Sequence, residues 1–155
     1  MKTAQADIQF PVIGFTPDGD LWGFPNRNAL TESGPRTVKE RTPVGMELVD
    51  ADGRRWVVRD MWRLGRDKPL LPWLFWTLMT ATPGSRIDYE LEPLAPLSLP
   101  EVKARMKAGI EVHPLNWCNP SEVETEIPAR LAEVDAAESI AGLFEVLGLD
   151  WFAAY

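Results

Sequence analysis

The chain holds 155 residues, 45% hydrophobic and 25% charged, with a formal net charge of -7. That length supports one domain with a sizeable core, spanning 1–155, and the composition excludes wholesale disorder. A single cysteine, Cys118, excludes an intrachain disulfide, and the acidic balance disfavours nucleic acid as a general partner.

Met1 to Asp7 carries one basic residue and no apolar run, so it does not read as a signal peptide, and a cytoplasmic location is the expectation. Ile8 to Phe15 and Leu21 to Phe24 flank Thr16-Pro17-Asp18-Gly19-Asp20, which predicts a hairpin whose first strand is edge-lying or broken at Pro11. Asn26 to Thr42 is polar and reads as irregular. Gly45 to Val49, the turn Asp50-Ala51-Asp52-Gly53, and Arg54 to Leu64 predict a second hairpin. On its return strand, alternation places Trp56, Val58, Trp62 and Leu64 with Asp60 on one face. It places Arg55, Val57, Arg59, Met61 and Arg63 on the other. The first face suits a core. The arginine row is either the solvated side of the strand, paired with Glu47 or late acids, or a phosphate or nucleic-acid surface.

Leu70 to Thr80 follows in a segment that has no charge from Pro69 through Ser85. It is too short for a membrane span of about 20 residues, so it predicts a short buried helix, with a buried strand as the competing reading. No membrane partner is expected. Arg86 to Glu92 alternates as a strand. From Ser98 the period turns helical: Ser98-Leu99-Pro100-Glu101 has capping-box form, and Val102, Met106 and Ile110 share a face. Pro128 predicts a break, with one turn at Ser121 to Glu124 and a helix starting at Pro128. The last helix carries Ile140, Leu143, Phe144 and Leu147, is capped from Asp135 to Glu138, and stops at Gly148. The fold class is α+β, an N-terminal antiparallel sheet built from hairpins with C-terminal helices packed on one face.

The chemistry-bearing residues are few. His113 and Cys118 share one Pro/Asn-rich segment, where a thiol activated by the imidazole is one reading and a structural connector the other. One His and one Cys do not make a zinc site, no calcium loop or glycine-rich phosphate loop is present, and no cofactor or metal is expected. No catalytic residue is assigned. A small enzyme using His113/Cys118 or a carboxylate pair is the alternative function. A binder of phosphate or nucleic acid through Arg55, Arg59 and Arg63 is another.

Residues 108–155 hold nine acids and one base, Arg130. Glu122, Glu124 and Glu126 crowd together with no lysine nearby, so solvent or a partner's cations must relieve their repulsion. With Trp117 they form the expected partner-binding site. The closing segment Leu149 to Tyr155 holds three aromatics, which pack on the core or on a partner.

An acidic single domain with this makeup, carrying Asp20-Leu21-Trp22-Gly23-Phe24 and Met46-Glu47-Leu48-Val49-Asp50-Ala51-Asp52-Gly53, resembles the small immunity proteins of bacterial polymorphic toxin systems. The resemblance implies a non-enzymatic inhibitor whose acidic surface covers a basic toxin or effector domain.

Overall fold

Two Asp-Gly turns set the sheet, because glycine alone reaches left-handed backbone without steric cost. Gly19 and Gly53 have φ of 86° and 81°, and each donates its N–H back across its turn, to Thr16 and Asp50, at 3.0 Å. The structure, a computed structural model, describes residues 1–146 and residue 148. The first turn joins β1 (Val12–Phe15) to β2 (Leu21–Phe24), and the second joins β4 (Glu47–Val49) to β5 (Arg55–Arg66). Between the hairpins lie α1 (Arg27–Thr31), the two-residue β3 (Glu32–Ser33) and α2 (Pro35–Glu40). The segment expected to be irregular is therefore largely helical. Asn26 starts it by accepting the Ala29 N–H at 2.9 Å.

After β5 come α3 (Leu70–Thr80) and β6 (Ser85–Leu94). The antiparallel sheet runs in the order β2-β1-β4-β5-β6-β3. Three helices close the chain: α4 (Leu99–Val112), α5 (Val123–Ala136) and α6 (Ile140–Val146). The α+β architecture with C-terminal helices on one sheet face is present as the periodicity predicts. On that face Ile13, Leu21 and Val49 meet Val102, Met106 and Ile110 of α4, with Val134 and Leu143 from the later helices. The other face is also covered. There Val12, Leu48, Trp56, Tyr89 and Leu91 pack with Ala6, Ile8 and Leu30 from the N-terminal segment and α1.

The buried Asp50 carboxylate pins the second turn. It accepts the N–H groups of Gln9, Asp52 and Arg54 at 3.1, 3.0 and 2.9 Å and the Arg54 side chain at 3.1 Å. A buried charge persists only with such partners.

Three expectations are corrected. Pro128 lies inside a continuous α5. It forfeits the ladder bond to the Glu124 carbonyl, and burial of Ile127 and Val134 on either side holds the helix through it. The start of α6 is capped by Ser139, whose hydroxyl oxygen accepts the Gly142 N–H at 2.9 Å. Asp135 to Glu138 supply no such bond, since Asp135 still belongs to α5. Leu147 lies outside the described residues, as do Leu149 to Tyr155.

The third correction concerns the faces of β5. Val58 pairs Leu91 while Asp60 pairs Glu90, so Arg59 is an extra residue in the ladder; Arg63 pairs Ile87 while Gly65 pairs Arg86, so Leu64 is another. Each bulge inverts the alternation beyond it. Met61 thereby joins Trp56 and Val58 in the core, while Leu64 turns out to solvent. Met61→Ala is expected to cost about 2–4 kcal/mol and Leu64→Ala less than about 0.5 kcal/mol in urea unfolding, the reverse of what strict alternation gives. Asp50→Ala is expected to destabilise by about 3 kcal/mol in the same measurement, because it strands the buried donors around it.

Candidate functional site

The residues with catalytic potential are tied into the scaffold. Between α4 and α5, residues Pro114–Asn116 form a tight turn. His113 Nε2 donates to the Asp18 carbonyl at 2.8 Å, and Asn116 Nδ2 donates to the Asp20 carboxylate at 3.1 Å. Both bonds clamp this loop to the β1–β2 turn. The Cys118 thiol donates to the Pro114 carbonyl at 3.4 Å. Burial pushes its pKa up, and the nearby charges of Glu126 and Glu122 push it further. A thiol activated for nucleophilic attack requires the opposite shift. His113 and Cys118 thus share a loop as its fastenings.

Trp117, expected at the partner surface, is withdrawn into the core at 8% exposure, packed with the cluster that joins α4, α5 and α6. An apolar indole in a loop between two amphipathic helices has a core to fill, and the sequence pattern did not separate that use from an interface anchor. The three glutamates all fall at the start of one helix. Glu122 stands at the N-cap position of α5, and Glu124 and Glu126 lie in its first turn. Glu124 is exposed, and Glu122 accepts the Asn119 side-chain amide at 2.8 Å. The helix N-terminus offers partial positive charge, which offsets part of the mutual repulsion that the bare sequence implies. Among the described residues none of the three forms an ion pair; Arg130, the cation closest in sequence, pairs Glu133 at 3.3 Å.

Two arginines of the row are engaged in ion pairs, while Arg59 and Arg63 stay exposed. Arg55 pairs Glu47 at 3.2 Å, and Arg105 of α4 reaches the same carboxylate. Arg59, displaced by the first bulge, pairs Glu92, whose carboxyl it holds below the usual carboxylate range. Glu92 is therefore engaged, and Glu90 accepts from the Met1 amino group at 2.9 Å. Only Arg63 of the row makes no ion pair among the described residues. No group of three or more His, Cys, Asp or Glu side chains among the described residues is arranged to hold a metal.

A second surface was missed by the sequence reading. Leu70–Thr80 is helical, as one of its two readings has it, but none of its residues is buried. β5 and β6 run past the core, and α3 crowns the arm that they form. Leu71, Phe75, Leu78 and Met79 are 76%, 66%, 84% and 68% exposed. Contacts with the arm run through Trp73, whose Nε1–H donates to the Gly84 carbonyl at 3.0 Å. At the foot of the helix the Arg66 guanidinium lies 5.8 Å from the Trp73 ring centroid and the Lys68 ammonium 5.2 Å from that of Trp76. The signal in the sequence was the charge-free stretch without a polar face. It was read as a core element because apolar runs normally pack inside. No helix among the described residues is long and apolar enough to cross a membrane.

With a neutral, half-buried Cys118 thiol, alkylation by iodoacetamide near neutral pH is expected to be slower than that of free cysteine and to rise only at more alkaline pH, followed by mass spectrometry. Compared with known proteins, the chain matches no family model, no curated protein and no solved structure.

Proposed function

We propose that this chain is a non-enzymatic binding protein of the immunity type, which neutralises a basic toxin or effector domain by covering it with the acidic end of α5. One observation carries the reading: Glu122, Glu124 and Glu126 share the start of one helix, and no cation among the described residues pairs with them. A carboxylate cluster held by a helix terminus keeps its field available to outside cations. The strand arginines that could have quenched it, Arg55 and Arg59, face Glu47 and Glu92 instead. Such a surface speeds encounter with a basic partner and selects against acidic ones. The reading needs no reaction at His113 or Cys118, whose hydrogen bonds serve the scaffold.

The test is co-production with any basic effector domain found to be encoded beside this chain. The wild-type protein and Cys118→Ser are expected to protect the host equally. Glu122→Gln, Glu124→Gln and Glu126→Gln together are expected to slow association on the order of tenfold at low salt, with the difference fading as salt rises. Association of the triple variant at the wild-type rate and with the same salt dependence would sink the proposal.

A further inference from the structure

The apolar surface of α3 needs an occupant, and its shape and charge select one. At about 100° per residue, the exposed positions from Leu70 round to Trp76 sweep about two thirds of the helix circumference. Only Trp73 and Thr77 turn toward the arm. A helix docked in a protein groove needs an apolar stripe on one side, typically little more than about 100° wide. An apolar surface this wide fits a medium that surrounds the helix. At about 1.5 Å per residue α3 is about 16 Å long, roughly half the hydrocarbon thickness of a bilayer, so it is suited to embed at one interface.

The charges at its foot are mostly positive. Residues 63–86 contain Arg63, Arg66, Lys68 and Arg86 against one carboxylate, Asp67. The Asp67 side chain is nearly buried and pairs Lys68 at 3.2 Å. Arg63 and Arg86 make no ion pair among the described residues; Glu32, across the ladder from Arg86, forms none with it. With Glu32 counted beside Asp67, a local excess of two positive charges stands on a chain whose net charge is -7. Two such arms meeting in a dimer would bring like charges together, which opposes a second copy as the occupant. Anionic lipid headgroups complement the collar instead. Trp73 and Trp76, lodged beside Arg66 and Lys68, sit where the apolar helix meets the basic foot, the level that tryptophan favours at a membrane boundary.

From this geometry we infer that α3 is a membrane-surface anchor, which seats the β5–β6 arm in the headgroup boundary of an anionic bilayer. The inference stands apart from the acidic face of α5 and does not depend on it. The experiment is flotation of the full chain with phosphatidylcholine vesicles, with and without phosphatidylserine. The wild-type chain is expected to float with the phosphatidylserine vesicles and to release partly at high salt. Leu71→Asp with Leu78→Asp, at exposed positions, is expected to keep the wild-type melting temperature and to lower partitioning on the order of a hundredfold. Arg63→Gln with Arg86→Gln is expected to lower it on the order of tenfold on phosphatidylserine vesicles only. The inference is overturned if the wild-type chain stays with the soluble fraction, or if either double variant floats as the wild type does. It is equally overturned if the chain ignores vesicles but self-associates through a contact that Leu71→Asp and Leu78→Asp abolish, which would assign α3 to a second copy.

Discussion

The β5–β6 ladder extends beyond the core that lies on it, and most of what distinguishes this molecule follows from that mismatch. β5 runs from Arg55 to Arg66 and β6 from Ser85 to Leu94. Trp56, Val58 and Met61 of β5 and Ile87, Tyr89 and Leu91 of β6 lie in the apolar core. Beyond Met61 and Ile87 the ladder continues to Arg66 and Ser85 with β3 along the outer edge of β6, while the side chains of Arg63, Leu64 and Arg66 are exposed. Backbone pairing is indifferent to side-chain burial, so two strands can hold their register into solvent when their bonds are closed between them. The arm lifts α3 away from the core, and the helix is held through the bond of Trp73 to Gly84 and the cations at its foot.

Charge is distributed along the same axis. The arm carries Arg63, Arg66, Lys68 and Arg86, while the chain from residue 108 onward carries nine acids and one base. Between these regions the opposite charges are matched: Glu47 is shared by Arg55 and Arg105, Arg59 faces Glu92, and Arg41 pairs Asp60. Screening at physiological salt acts over about 8 Å, so exposed charges farther apart than that act as separate local fields.

The residues whose chemistry first attracts notice also hold the scaffold. His113 and Asn116 fasten the α4–α5 loop to the β1–β2 turn, and Asp50 organises the β4–β5 turn from a buried position. The same donors and acceptors that serve catalysis also satisfy loop backbone, and which use applies is decided by what lies within about 3 Å.

Local chemistry was enough to specify the hairpins at Asp18-Gly19 and Asp52-Gly53, the Ser98-Glu101 start of α4, the apolar faces of α4 and α6, and the gathering of Glu122, Glu124 and Glu126 on one short segment. Each depends on neighbours within a few residues, which the sequence states directly. Tertiary structure decided the rest. The bulges at Arg59 and Leu64 depend on the register with β6, so the face of Met61 was invisible in the pattern of β5 alone. The burial of Trp117 depends on how three helices meet, and the continuity of α5 through Pro128 on the core on either side of it. The exposure of α3 depends on how far two strands outrun a core that other segments build. An apolar run states that it avoids water, but only the assembled fold determines whether the protein itself supplies the cover.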